Sequence, residues 1–216
     1  MTAAATAQKD IYQQCQQELL RLLALPELSS VSNFGLGLGP NSGDPAGPLG
    51  FVATGCLVGL LGFDEPEHEG LCETCVHELL RRELLTLARP VGRGGLLLSL
   101  AACCVRPGEE QAVGCAVVLP APRHVGASDP PDIEQQLFAE ARGRYLLCIP
   151  AEKQADARLV AREHGVPLWP LGRTGGRELV VRASASDSGF VEVVRLSLRS
   201  LREASLKTTP DRAPNP

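Results

Sequence analysis

The segment Arg89-Pro90-Val91-Gly92-Arg93-Gly94-Gly95-Leu96 sets two arginines beside a glycine pair, and the pair opens into an apolar run from Leu96 to Cys104. Paired glycines let backbone N–H groups crowd an anion, and a helix starting there adds the positive end of its dipole. Arg89 and Arg93 could add charge-assisted hydrogen bonds to a phosphate. The segment holds no carboxylate, histidine or asparagine, so it has nothing to move a proton or position a metal. The same glycines also suit a tight turn kept only for packing.

Three other groups have residue types that could do chemistry. Cys72-x-x-Cys75, with His68 and His77 nearby, has a metal-site flavour. Zinc needs four converging ligands, however, and a second cysteine pair at a usual spacing is missing. On a helix, residue 77 points away from 72 and 75, so both cysteines are expected in the core. Cys103-Cys104 lies in an apolar run without a sequence-adjacent base to activate it, which again reads as packing. Glu140 and Arg144 are four residues apart across a helix-to-strand junction, placed for a local ion pair or for lining a cleft. His124 in a Pro-rich loop and His164 at a helix end read as solvated, and Trp169 as packing on a sheet face.

The elements that must position these residues follow from periodicity. Residues 1–10 read as a flexible leader. Cys15, Leu19, Leu22 and Leu23 share one face of a helix over Ile11–Leu25, ended near Pro26. Residues 35–50 are rich in Gly, Pro, Asn and Asp and read as a flexible loop. Phe51–Leu61 reads as a strand buried on both faces. A helix over Leu71–Leu87 follows, with acids at its start and Arg81, Arg82 and Arg89 toward its end, as the macrodipole favours. Further expectations are a helix over Leu96–Cys104, a strand over Val113–Leu119 and a helix over Ile133–Glu140. The strand Arg144–Ile149 comes next, then the helix Ala151–His164 with Gly165 as its C-terminal cap, then the strand Val166–Leu171. Gly175-Gly176 turns into Glu178–Arg182, followed by Phe190–Val194 and a helix capped by Ser197 that runs through about Leu206. Residues 207–216 read as a disordered tail, which leaves one domain over 11–206. The class is α/β or α+β, a mixed sheet with helices mainly on one face.

Composition narrows the function. A net charge of −4 argues against nucleic acid as a main partner. No apolar run reaches the roughly 20 residues of a bilayer span, and the first ten residues carry no basic-then-apolar signal, so the expected setting is cytoplasmic. There, eight cysteines are expected to be free rather than a disulfide framework.

Leu137-Phe138-Ala139-Glu140-Ala141-Arg142-Gly143-Arg144-Tyr145-Leu146 resembles the LFSESQGRYL segment of phosphoribosylformylglycinamidine synthase. His164-Gly165-Val166-Pro167, Leu171-Gly172, Leu179-Val180-Val181 and Leu198–Glu203 resemble the end of that enzyme. Gly55–Leu61 is similar to its VVGMVGLL strand, and Arg89–Leu96 falls at its HDVSDGGL. The resemblance implies a C-terminal domain of the aminoimidazole ribonucleotide synthetase type. It also implies an ATP-dependent ligase chemistry that uses ammonia from glutamine to turn an amide into an amidine. ATP and magnesium are implied for the family only, and no cofactor is assigned to this chain.

Against HDVSDGGL, Arg89 replaces His, Pro90 and Arg93 replace the two Asp, and Gly92 replaces Ser. The family's GNVS, with its ATP-contacting Gly, magnesium-binding Asn and substrate-contacting Ser, aligns best with Ser29-Ser30-Val31-Ser32, where Ser32 alone keeps its functional type. A stretch of some tens of residues present in the family between Leu61 and Leu71 is missing. The resemblance therefore implies a divergent domain that is not catalytic alone, with no catalytic residue and no metal ligand. The substrate- or phosphate-binding set it leaves is Ser32, Arg93, Gly94, Gly95, Glu140 and Arg144. Expected partners are a second copy, through a sheet edge or apolar face that the full synthase covers, or a complementary synthase chain. A working subunit of a split synthase and an unrelated small-molecule binding module are the alternatives.

Overall fold

The computed structural model describes residues 3–24, 50–63, 66–105, 112–119, 133–140, 142–185 and 189–206. The chain runs α1 (Ala3–Leu23), β1 (Leu57–Gly62), α2 (Glu69–Arg81), β2 (Leu87–Pro90), α3 (Gly95–Cys104) and β3 (Cys115–Val118). It continues with α4 (Ile133–Phe138), β4 (Arg144–Ile149), α5 (Gln154–Glu163), β5 (Leu168–Thr174), β6 (Glu178–Ala185), β7 (Gly189–Ser197) and α6 (Leu198–Leu206). Single 3-10 turns at Pro66–His68 and Ala151–Lys153 lead into α2 and α5.

Among the described residues, seven strands form one sheet in the order β2-β4-β1-β5-β3-β6-β7. β3 and β6 pair in parallel and the other neighbours are antiparallel. The sheet is mixed, as the sequence implies. Alternation along β4 divides the core. Leu146 and Cys148 face a layer built from α1, α3, α4 and α6, while Tyr145, Leu147 and Ile149 face α2 and α5. Among the described residues, four helices thus lie on one face and two on the other. β1 is buried at every residue, which suits an apolar run in the middle of a sheet covered on both sides.

Several boundaries differ from the sequence reading. α1 begins at Ala3, eight residues before the apolar periodicity does, where the alanine-rich start favours helix by propensity. Phe51–Cys56 is not strand: Phe51 is buried and gives its N–H to Cys103 O at 2.8 Å, and pairing starts at Leu57. The helix expected over Leu71–Leu87 runs instead over Glu69–Arg81. It stops in a Schellman turn: Glu83 takes φ 54, its N–H reaches Leu80 O at 2.8 Å, and Leu84 N–H reaches Leu79 O at 2.9 Å. Arg89 is therefore not at a helix end. It sits in β2, which pairs with β4 through Leu87↔Cys148 to Pro90↔Tyr145. Gly165 at φ 67 makes the same turn after α5, and Ser197 Oγ accepts the Ser200 N–H at 3.0 Å to cap α6, both as expected. Residues 25–49, most of the expected loop among them, and the expected tail at 207–216 lie outside the described residues.

Candidate functional site

The glycine pair sits where β2 turns into α3. The Val91 N–H bonds Arg144 O at 2.8 Å, which ties the turn to the start of β4. Gly94 is the N-cap of α3 at φ 77, and Gly95, its first residue, has φ 68. Such angles favour glycine at both places. Space does so too: a Cβ on Gly95 would lie 2.5 Å from Leu137 O and 2.6 Å from Phe138 C, because the end of α4 rests on this turn.

Both glycine N–H groups are engaged within the chain. Gly95 donates to Gly92 O at 3.0 Å. Gly94 donates to the Glu140 carboxylate, Oε1, at 3.2 Å. α3 has no acidic residue in its own first turn, so Glu140, from beyond the end of α4, brings the negative charge that a helix start favours. A phosphate arriving at Gly94 would compete with this carboxylate. α3 itself is apolar all round and buried at nine of its ten residues, which is why the turn must be both tight and electrostatically satisfied.

Of the predicted set, Arg93, Gly94, Gly95, Glu140 and Arg144 belong to this one corner of the fold, Arg93 and Glu140 being exposed and Arg144 half-buried. Ser32, with the rest of Ser29–Ser32, lies outside the described residues, as does His124. Arg89 is only 5% exposed and lies against the Cys103 thiol. Burial pushes that thiol up to about 12, and the arginine pulls against this.

The other candidates are core. Cys72 and Cys75 are buried under α2 with Val76 and Leu79, and burial pushes the Cys75 thiol up to about 12. His77 is exposed, its Nε2 4.0 Å from Glu73 Oε1, so it lies apart from the two buried sulfurs. The His68 ring lies tilted against Phe63 with centroids 4.5 Å apart, and among the described residues its buried Nδ1 has no hydrogen-bond partner. Among the described residues, no three His, Cys, Asp or Glu side chains converge as a metal site. All eight cysteines are buried and free. Trp169 packs against the larger core cluster, and His164 is the half-buried C-cap of α5. One polar residue had no sequence signal: buried Thr174 donates its hydroxyl to Ala53 O at 2.7 Å and accepts the Cys56 N–H at 3.0 Å, which pins the segment before β1.

These features define a mixed α/β domain in which a glycine turn launches a buried helix and is closed by the chain's own carboxylate. Comparison with known proteins gives this architecture its relatives. No family model matches the chain. The phosphoribosylformylglycinamidine synthase subunit PurL of Anaeromyxobacter sp. (strain Fw109-5) is 32% identical over 130 residues, 57% of this chain and 16% of the relative. PurL of Thermus thermophilus is 33% identical over 143 residues, 66% of this chain and 17% of the relative. Among solved structures, Thermotoga maritima PurL complexed with ATP matches 72% of this chain and 27% of its own, with a TM-score of 0.56 at 17% identity. The chain is thus similar in sequence to PurL and carries a PurL fold. It spans only 16–17% of the length of these curated relatives.

Proposed function

We propose that this chain is a divergent, non-catalytic relative of the C-terminal part of PurL, acting in purine biosynthesis as a structural or regulatory module. In this reading it pairs in the cytoplasm with a second copy or with a complementary synthase chain. The observation that carries the reading is the Gly94 N–H held by Glu140 in a turn that keeps the family's glycines and has lost its acids and histidine. Backbone retained for packing, with its anion position filled from within, is what a structural descendant of a ligand site looks like. In the phosphate-binding version of the module Arg93, Gly94, Gly95 and Arg144, with Ser32, hold the ligand, and Glu140 is the gate it displaces from Gly94.

A split synthase is the second reading. One observation favours it: the relatives are themselves named as a subunit, and a solved PurLQS of Thermotoga maritima resembles this fold with a TM-score of 0.55. The test is ATP-dependent amidine formation, followed as ADP release, by the purified chain alone and with a PurL chain lacking its C-terminal part. No turnover in either case is expected. Turnover restored by the companion chain would replace the structural reading with the split-enzyme one. Calorimetric titration with inorganic phosphate addresses the binding version: saturable heat that vanishes in Arg93→Ala supports it, and no heat removes it.

A further inference from the structure

The thiols of the larger core are not used by the proposed function, and two of them touch. Cys104 is the last residue of α3 and Cys115 the first of β3, and their sulfurs lie 3.8 Å apart. A disulfide bond is about 2.05 Å long, so the sulfurs need approach by only about 1.8 Å in total. Cys115 is held in the sheet between Thr174 and Leu179, so the approach falls to Cys104 at the end of α3. The residue after Cys104, Val105, is already extended at φ −110, ψ 103. Only residues 105–114 separate the pair in the chain, so they stay neighbours through local fluctuations.

We propose that Cys104 and Cys115 form a reversible intrachain disulfide when the protein meets a hydroperoxide, locking the C-terminal end of α3 to β3. In the first step one thiol sulfur attacks the distal peroxide oxygen. The O–O bond breaks, the thiol proton passes to the departing oxygen, and water or an alcohol leaves a sulfenic acid behind. In the second step the other sulfur displaces that hydroxyl. The S–S bond forms, and the second thiol proton leaves with the hydroxyl as water. Overall, two thiols lose two electrons and the peroxide gains them.

The consequence is geometric. α3 is already fixed at its N-terminal end, where Gly95 packs under Phe138 and Gly94 bonds Glu140. A bond at Cys104 fixes the other end. The pair is shielded, at 0% and 1% exposure, and the sulfur contact with Cys115, together with burial, holds the Cys104 thiol well above its ordinary value. The resting state is therefore reduced, and the reaction is slow. Cys103, the sequence neighbour of Cys104, bonds Arg89 and also feels Cys115, so it is the rival partner the test must separate, and Cys148 lies against Cys56.

The experiment is peroxide treatment of the reduced, folded chain, followed by alkylation under denaturing conditions and mass spectrometry. The expected product is lighter by about 2 Da before alkylation, the mass of two hydrogens, and carries two fewer alkyl groups. Glutamate-specific digestion cuts after Glu109 and Glu110, so the link should join the peptide carrying Cys104 to the one carrying Cys115. Dithiothreitol should reverse it. Cys103→Ala should keep the link and Cys115→Ala should abolish it, and circular dichroism reports whether each variant is folded. Eight alkylated cysteines after treatment, or a link that maps to Cys56 and Cys148, would overturn the proposal on the wild-type chain alone, and loss of the link in a folded Cys103→Ala would overturn it as well.

Discussion

At the scale of single residues, the glycine pair and Glu140 separate two properties that a sequence motif fuses. Gly95 is needed for space. A methyl group there meets Leu137 O and Phe138 backbone while the residue keeps a left-handed φ of 68. Gly95→Ala should therefore cost about 2–4 kcal/mol, from overpacking and backbone strain together. Urea unfolding measures this, and a loss within experimental error would mean that α4 does not rest on the turn. Glu140 is needed for charge. Glu140→Ala removes the N-cap acceptor of α3 and should cost about 0.5–2 kcal/mol, with Glu140→Gln recovering part of the loss because its amide oxygen can still accept from Gly94. Equal stability of Glu140→Ala and wild type would mean that the contact is incidental. The sequence names both residues, but it does not pair them: 46 positions separate Gly94 from Glu140, and only the packing of α4 onto α3 brings them together.

At the scale of elements, two helix ends show what was legible and what was not. α5 and α2 end in the same pair of hydrogen bonds, Gly165 to Arg162 O with Val166 to Ala161 O, and Glu83 to Leu80 O with Leu84 to Leu79 O. The first carries glycine at the left-handed position and was readable. The second carries Glu83 there, a residue with no stop signal, so periodicity alone extends the helix to Leu87, the first residue of β2. Glu83→Gly should stabilise the protein by about 0.5–1 kcal/mol, since relief of left-handed strain exceeds the extra unfolded-state freedom of glycine. A thermal melt checks this, and a lower midpoint would mean that Glu83 earns its place by a contact of its own. The same helix end carries an acid-sensitive contact. Hydrogen bonds from Arg81 and Arg82, at 2.7 and 2.6 Å, hold the Glu78 carboxyl down to about 2 from 4.5. A depressed folded-state value makes the contribution complete above about pH 4.5 and lost as pH falls toward 2. Glu78→Gln should thus narrow the stability gap to wild type as pH drops through this window, measured by urea melts at several pH values. A gap independent of pH would show that the carboxylate charge is not what matters.

At the scale of the whole molecule, the strand order is the part that no local pattern carries. β3 pairs in parallel with β6 and antiparallel with β5, and β2 closes one edge although it is four residues long. These are long-range choices set by which apolar faces the helices cover, whereas strand periodicity reports only that a face is buried. The other edge, β7, shows how the expected exposure of a sheet edge is handled. α1 packs beside it, and Gln16 gives its side-chain N–H to Arg195 O at 2.9 Å, across 179 positions of sequence. α1 also places Cys15, Leu19 and Leu23 in the larger core. If the first helix is an integral layer rather than an appendage, damage to it must be felt by the entire fold. Leu19→Ala, at a fully buried position, should lower stability by about 2–5 kcal/mol and shift one cooperative urea transition as a unit. Far-UV circular dichroism reports all the helices, α1 included, and Trp169 fluorescence reports the sheet at β5, so the two should move together. A separate early transition in the dichroism, with the fluorescence midpoint unchanged, would make α1 an independent attachment and leave β7 an open edge available to a partner.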